Sequence, residues 1–311
     1  MDLEIEKLPD ISDIKMEGGD SAEDEHLPKI TLLTTLSNTS ESTLLVLAES
    51  IINLDYPKEK WEWILIDDSE KPLSYLVPQM PNIKYFHFNE ELMGTLHKNL
   101  IKKLKSQKSK VKKLSVSNKM RSKINKRKKK PQISHKLKDE FKYGFKRLPM
   151  GMKWNIGVQM ASNDIIVHAG DDNYLPPKSI KHKIRAFTTN KRVEVVGANV
   201  QSSYYPAGYL SLVNGLPTSF PLHKRVYPNS LVYTKKYWKE NKFNNQDDNI
   251  YDFLNKRNKK FKFINGTDLS VQLITKRNAI LYAKQIRENE PNGWHFPKIS
   301  DDLFEKISKI Q

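Results

Sequence analysis

Paired aspartates follow two apolar runs of this sequence. Asp67-Asp68 closes the run at residues 63–66, and Asp171-Asp172 lies just beyond the run at residues 165–167. In an open α/β sheet, ligands bind outside the carboxyl ends of the strands. Because both pairs would reach that edge, the sequence predicts one site, in which one carboxylate holds a nucleotide while another holds a divalent metal.

A third pair, Asp247-Asp248, adds a candidate for acid–base chemistry. Transfer of a sugar from a nucleoside diphosphate needs a group that binds the nucleoside and a divalent metal that neutralises the departing diphosphate. An inverting reaction also needs a base that deprotonates the acceptor hydroxyl. Asp67 or Asp68 could serve the nucleoside, Asp171 and Asp172 the metal, and Asp247 or Asp248 the base.

The apolar pattern predicts the elements that would position these residues. Residues 30–35 and 61–66 are short β-type runs, residues 43–54 have helical spacing, and residues 82–88 alternate as a third strand. Residues 164–167 predict the strand that precedes the second aspartate pair. This order of strands and helices predicts a mainly parallel sheet that is covered by helices.

Charge is distributed unevenly along the chain. Residues 98–147 hold 21 Lys and Arg against 2 Asp and Glu, and residues 1–28 hold 10 Asp and Glu against 2 Lys. Residues 98–147 carry a net charge of +19. Because the whole chain carries +17, all other residues together carry −2. We expect an acidic flexible tail over residues 1–28 and one domain over residues 29–311, which a basic insertion at residues 98–147 interrupts.

Composition also excludes some classes of protein. The chain has no cysteine, which excludes a disulfide framework and a thiolate metal site. Its first residues lack the basic and apolar regions of a signal peptide, and no stretch approaches the roughly 18 apolar residues of a membrane span. We therefore expect a cytoplasmic protein without a transmembrane segment.

Several segments resemble the GT-A fold, family 2-like glycosyltransferases, especially versions found in large DNA viruses. The resemblance covers roughly residues 29–95 and 148–255, and it rests on the order and spacing of motifs rather than on one diagnostic motif. Four segments carry it: Asp55-Tyr56-Pro57 with Glu62 to Asp68, Pro81 to Tyr85, Met150 to Gly157, and Asn163 to Pro177.

The resemblance implies a GT-A type, Rossmann-like sheet that is mainly parallel and flanked by helices. It further implies an inverting, metal-dependent enzyme that moves a hexose from a UDP- or GDP-linked donor to a hydroxyl of a glycan or protein acceptor. The implied cofactor is Mn²⁺ or Mg²⁺. If the protein is viral, the expected location is the host cytoplasm or the virion.

The resemblance also implies roles for individual residues. Asp172 matches the direct metal ligand, with Asp171 beside it, and Asp248 matches the catalytic base, with Asp247 as the neighbouring candidate. Asp67 matches the carboxylate that reads the base. The residues implied to bind the nucleotide sugar are Leu36, Ser37, Asn38, Asp67, Asp68, Lys153, Asn155 and Asp171.

Some positions depart from the family pattern. Gly170 and Asn173 stand where the metal-binding loop usually has acidic residues, and Trp154 stands where the family commonly has Arg. His295 is a possible but poorly spaced replacement for a metal-binding histidine. Loss of carboxylates weakens divalent binding, because hard cations depend on the charge of their ligands.

Other interpretations stay open for the same residues. Asp67-Asp68 alone is equally typical of a turn, and Asp247-Asp248 is equally typical of the N-cap of a helix. The run Lys128 to Lys130 is typical of a solvated loop, of a nuclear localisation signal or of a nucleic-acid contact. The alternative function is therefore a catalytically degenerate scaffold that binds nucleic acid or another polyanion through the basic insertion.

Overall fold

The computed structural model describes residues 26–37, 39–89, 147–205, 210–216, 221–245, 250–254, 260–267 and 269–274. Their strands form two sheets, one of seven strands and one of four. The acidic tail up to residue 25, most of the basic insertion, Asn38, Asp247, Asp248 and His295 lie outside these residues.

The larger sheet holds the strands on which the aspartate pairs were expected. Its spatial order is β10-β6-β9-β4-β1-β2-β3. The bounds of its strands are β1 Ile30–Leu36, β2 Trp61–Asp67, β3 Ile83–His87, β4 Ile165–His168, β6 Val195–Ala198, β9 Val232–Thr234 and β10 Phe261–Ile264.

The pairing confirms the expected α/β class with a mainly parallel sheet. Strand β1 pairs in parallel with β2 on one side and with β4 on the other, so that Leu36 lies opposite Asp67 and Leu33 lies opposite His168. Strand β9 runs antiparallel between β4 and β6. The carboxyl ends of β1, β2 and β4 therefore meet at one edge of the sheet.

The helices cover both faces of this sheet. Their bounds are α1 Glu41–Ile52, α2 Met150–Met160, α3 Ser179–Thr188, α4 Lys235–Glu240 and α5 Tyr251–Leu254. Helix α1 begins directly after the turn that follows β1, because the Ser40 hydroxyl accepts a hydrogen bond from Thr43 N at 3.2 Å and caps the helix.

The core has two halves, one on each face of the larger sheet. On one face, Leu32 and Trp63 pack with residues of α1 and α3. On the other face, Leu33 and Ile64 pack with Trp154 and Val158 of α2. Every residue of β1 and β2 is buried, so both faces of these strands are covered, as is usual in a parallel sheet.

The smaller sheet was not expected from the sequence. Its strands are β5 Asn173–Tyr174, β7 Val200–Tyr205, β8 Leu210–Gly215 and β11 Val271–Leu273, in the spatial order β5-β11-β7-β8. Strand β5 follows Asp171-Asp172 directly, so the second aspartate pair lies where the two sheets meet.

Candidate functional site

A buried ion pair lies at the carboxyl edge of the larger sheet. Lys153, on α2, places Nζ 3.1 Å from Asp68 Oδ1, and neither side chain is more than 1% exposed. The same ammonium donates to the carbonyl oxygen of Leu36 at 3.1 Å and to Ser37 Oγ. Three residues that the sequence assigned to nucleotide binding, Leu36, Ser37 and Asp68, therefore converge on one lysine.

Burial lowers the pKa of Lys153 below its ordinary value of 10.5, and the attraction of Asp68, Asp171 and Asp67 offsets only part of that shift. The second oxygen of Asp68 accepts from the backbone of Leu148, just before α2, at 2.6 Å. Because the buried ammonium already has three acceptors, it holds Asp68 and the turn at Ser37 in position.

Hydroxyl groups connect the two aspartate pairs. Ser37 Oγ donates to Asp68 Oδ1 at 2.5 Å, and Ser37 N donates to Thr39 Oγ1 at 3.3 Å. Thr39 Oγ1 in turn donates to Asp171 Oδ2. The structure therefore brings Asp68 and Asp171, which are 103 residues apart in the numbering, into one hydrogen-bonded network.

The Asp67 carboxylate shapes the loop that follows β2. It is fully buried, and it accepts hydrogen bonds from Ser69 N at 2.7 Å, from Leu73 N at 3.3 Å and from the Tyr85 hydroxyl. Burial and the bond to Asp67 raise the pKa of Tyr85, so that its hydroxyl stays a donor. The contact between Asp67 and a nucleoside base stays a prediction.

Asp172 joins the loop after β4, residues 169–172, to the smaller sheet. Its carboxylate accepts from Gln272 Nε2 at 3.0 Å, and its backbone carbonyl accepts from Leu273 N at 2.7 Å. Strand β11 therefore fixes the position of Asp172 through both the side chain and the main chain.

Aspartate side chains cluster at this edge of the sheet. Asp68, Asp171 and Asp67 all attract the ammonium of Lys153, and Asp172 follows Asp171 in the chain. Mg²⁺ commonly binds through one or two carboxylates together with substrate phosphates. Asp171 and Asp172 fit this donor set, although no cluster of three or more acidic or histidine side chains in the described part of the chain could hold a metal unaided.

Gly170 and Asn173, the two departures that follow β4, are in steric contact with each other. A Cβ atom at Gly170 would collide with Asn173 Oδ1 and would lie 3.2 Å from the Asn229 Cβ. Asn173 Oδ1 accepts from Asn229 Nδ2 at 2.9 Å. An aspartate at position 170 would therefore require a different arrangement of the Asn173 side chain.

The third departure has a packing explanation. The Trp154 ring lies 4.9 Å from the Phe243 ring and 5.5 Å from the His168 ring, between centroids. It is buried in the core on the α2 face of the sheet. Trp154 therefore fills the interior, where an arginine would bring an unpaired charge.

Two basic side chains, those of His168 and Lys183, are buried in the domain. His168 Nε2 is 2.8 Å from the Tyr233 hydroxyl, and burial, with the nearby charge of Lys183, lowers the pKa of His168 to about 3. Lys183 is fully buried on α3, and burial lowers its pKa from 10.5 to about 8. Its Nζ lies 3.5 Å from the carbonyl oxygen of Asn229.

Asn155, predicted to lie near the nucleotide, ties α2 to the segment before Asp247. Its Nδ2 donates to the Phe243 carbonyl at 2.8 Å and to Asn245 Oδ1 at 2.6 Å. Its Oδ1 accepts from Trp238 Nε1 at 2.7 Å. The chain is thereby held beside α2 up to residue 245, and the two candidate bases follow shortly after it.

Sequence reasoning missed Thr39, Tyr85 and Gln272. Thr39 lies in a hydroxyl-rich turn at the end of β1, which is a signal that could have suggested it. Tyr85 is in the alternating run that was assigned to β3. The sequence contains no signal for Gln272, because its contact with Asp172 depends on the pairing of β11 with β5, which is distant in the chain.

No protein-family model and no curated protein matches the chain. Among solved structures, the mannosyltransferase PcManGT from Pyrobaculum calidifontis, in complex with GDP-Man and Mn²⁺, is 12% identical, with a TM-score of 0.48 over 95% of this chain and 73% of that one. S. aureus TarS is 13% identical, with a TM-score of 0.40 over 85% of this chain and 40% of that one.

A structure of TarS in complex with UDP-GlcNAc is 12% identical, with a TM-score of 0.43 over 80% of this chain and 59% of that chain. The chain thus spans about half the length of these two TarS structures, and similarity at this distance assigns no activity. Within the described residues, no helix has the length and apolar character needed to cross a membrane.

Proposed function

We propose that the protein is a GT-A type glycosyltransferase that moves a hexose from a nucleoside-diphosphate sugar to a hydroxyl acceptor. The observation that carries this proposal is the hydrogen-bonded network that joins Asp68, Ser37, Thr39 and Asp171 at the carboxyl edge of the sheet. This is the edge at which open α/β sheets bind ligands.

In this proposal, the chain's own groups bind and orient the donor. The turn at Ser37 and the loop after β2, which hydrogen bonds to Asp67 hold in position, form the wall of the proposed nucleoside site. Lys153 stands behind that wall and holds Asp68 in place. Asp172, with Asp171 beside it, would hold Mn²⁺ or Mg²⁺, which supplies charge to the departing diphosphate.

The transfer itself is a direct displacement that inverts the anomeric carbon. The acceptor oxygen forms a bond to that carbon while the bond to the diphosphate oxygen breaks, and the acceptor proton moves to a carboxylate. We assign this base to Asp248, with Asp247 as the alternative. Asn155 supports the assignment because it holds Asn245, two residues before Asp247, beside α2, the helix that also carries Lys153.

The experiment compares two aspartates at opposite ends of one strand. Asp172→Ala should abolish metal-dependent sugar transfer from UDP- or GDP-linked donors without unfolding the domain. Asp164→Ala is the matched control, because Asp164 is an exposed residue just before the amino end of β4. Unchanged transfer in Asp172→Ala, or an equal loss in both variants, would contradict the metal assignment.

A second candidate function is polyanion binding by the basic insertion on a scaffold without turnover. The charge of the insertion favours it, since residues 98–147 hold 21 Lys and Arg against 2 Asp and Glu. Replacing the Lys and Arg of residues 98–146 by glutamine should remove salt-dependent binding of a nucleic-acid probe. Nucleotide-sugar binding should persist in that variant.

A further inference from the structure

The smaller sheet has one apolar face and one face of uncharged polar groups. Side chains of β5, β7 and β11 alternate between these faces, since successive residues of a strand point to opposite sides. The apolar face packs on Val46 of α1. It consists of Tyr174, Tyr204, Val271 and Leu273.

The polar face is a continuous row. Asn173 of β5 lies opposite Gln272 of β11, which lies opposite Ser203 of β7. Gln201 is two residues before Ser203 on the same strand and therefore shares its face. None of these four side chains carries a charge, and all but Gln272 are fully or almost fully buried.

Several groups of this row lack the hydrogen bonds that burial demands. Both amide atoms of Gln201, and Nδ2 of Asn173, are buried without a hydrogen-bond partner in the part of the chain that the structure describes. A buried amide that keeps no partner is costly, and native proteins rarely leave one unexplained. The row therefore has donors and an acceptor to offer to a bound molecule.

The row begins at the candidate metal site. Gln272, its central member, donates to Asp172 Oδ2 at 3.0 Å, and Asn173 is the residue after Asp172. A molecule that contacts this face would thus lie next to the group that is proposed to hold the diphosphate. In a sugar nucleotide, the diphosphate joins the nucleoside to the sugar. Because the nucleoside is assigned to the side of the site formed by Ser37 and Asp67, the part that would face the smaller sheet is the sugar.

We propose that the polar face formed by Asn173, Gln201, Ser203 and Gln272 binds the hexose of the donor and selects an uncharged sugar. The inference rests on the proposed function and deepens it. Amide and hydroxyl groups can both donate to and accept from sugar hydroxyls. Because these four groups carry no positive charge, a uronic acid would lose the hydration of its carboxylate without gaining an ion pair.

The test separates sugar binding from nucleotide binding. Gln201→Leu keeps the approximate volume of the side chain and removes both amide atoms. We expect its affinity for the correct hexose nucleotide to fall by about tenfold, which corresponds to the loss of one or two hydrogen bonds. Its affinity for the matching nucleoside diphosphate should stay within about twofold, because the nucleotide does not contact this face.

Ser202→Ala is the control on the same strand. Ser202 points to the opposite face, where its hydroxyl donates to the Thr267 carbonyl at 2.8 Å. Both affinities should be unchanged in this variant. If Gln201→Leu leaves the affinity for the hexose nucleotide unchanged, or lowers both affinities equally, the polar face does not bind the sugar, and water accounts for its amide groups.

A second measurement does not depend on the folding of a variant. In the wild-type protein, the side-chain amide resonances of Gln201 should shift when the hexose nucleotide is added and should not shift with the nucleoside diphosphate alone. Identical spectra with the two ligands would overturn the inference while leaving the proposed function intact. If the wild-type protein binds no nucleotide at all, the proposed function itself fails.

Discussion

The two ends of the larger sheet each hold a buried carboxylate that is paired with a lysine. At the amino end, Glu62 pairs with Lys84 at 2.7 Å, and the lysine side chain remains 37% exposed. At the carboxyl end, Asp68 pairs with Lys153 at 3.1 Å, and both side chains are shut off from solvent. The chemistry of the pairs is alike, but their surroundings differ.

The amino end balances its charge locally. Glu62 also accepts hydrogen bonds from Thr31 Oγ1 at 2.6 Å, Ser162 N at 2.5 Å and Asn163 N at 3.2 Å, so it ties β1 and β2 to the chain before β4. At the carboxyl end, Asp68, Asp171 and Asp67 all attract Lys153, and Ser37 and Thr39 join Asp68 to Asp171. The pair at the amino end therefore joins strands, whereas the pair at the carboxyl end belongs to the network that is proposed to bind the donor and its cation.

The largest expected effect distinguishes the two lysines. Lys153→Met should destabilise the domain by about 3–5 kcal/mol, because it leaves the Asp68 carboxylate buried without its charge partner. Lys84→Met should cost at most about 1 kcal/mol, since that lysine is partly exposed and screened by solvent. Chemical denaturation monitored by circular dichroism measures both. Equal losses would remove the distinction between the two ends.

A third lysine sharpens the comparison, because burial shifts the pKa of Lys183 without the attraction of aspartates that acts on Lys153. Burial lowers the pKa of Lys183 from 10.5 to about 8, so the folded protein at pH 7 holds a charge that its surroundings disfavour. Lys183→Met should therefore raise the free energy of unfolding at pH 7 by roughly 3 kcal/mol.

The pH dependence provides the control for Lys183. Between about pH 8 and 10.5 the unfolded chain binds more protons at this lysine than the folded chain, so wild-type stability should rise with pH in that window. The advantage of Lys183→Met over wild type should shrink over the same window. An advantage that is independent of pH would mean that packing, and not charge, causes it.

A smaller effect is expected for Glu62. Burial raises the pKa of Glu62, but hydrogen bonds from Lys84, Thr31 and Ser162 outweigh it and hold the pKa below its ordinary value of 4.5. The ionised carboxylate therefore stabilises the protein above that value, and this contribution disappears as the pH falls through the folded-state pKa.

Glu62→Gln should cost about 1 kcal/mol at pH 7, and the cost should shrink as the pH falls below 4.5 through the folded-state pKa. Urea denaturation of both proteins at pH 7 and at acidic pH measures this. A penalty that persists at low pH would show that the shape of the side chain, rather than its charge, stabilises the amino end.

The convergence of the aspartate pairs was predictable from the sequence. Strands β1, β2 and β4 are long or strongly apolar, and parallel strands deliver the residues after them to a common edge. Asp68 and Asp171 meet there, as the order of the strands predicts. The partnership of Lys153 with Asp68 was not predictable, because it depends on how α2 packs across the sheet.

The smaller sheet could not be predicted for a different reason. Strand β5 has two residues and β11 has three, which is too short for a periodic pattern, and they pair across about 100 residues of chain. The role of Trp154 was equally hidden, because one sequence position does not reveal whether its side chain faces the core or a ligand.

The central claim is that Asp171 and Asp172 at the carboxyl end bind a cation together with a nucleotide. The most direct test is calorimetric titration of the full-length protein with UDP, GDP and their sugar conjugates, with and without Mn²⁺. We expect one nucleotide to bind, and to bind at least about tenfold more tightly when Mn²⁺ is present. Absence of binding by a folded sample, or affinity that is independent of the metal, would contradict the claim.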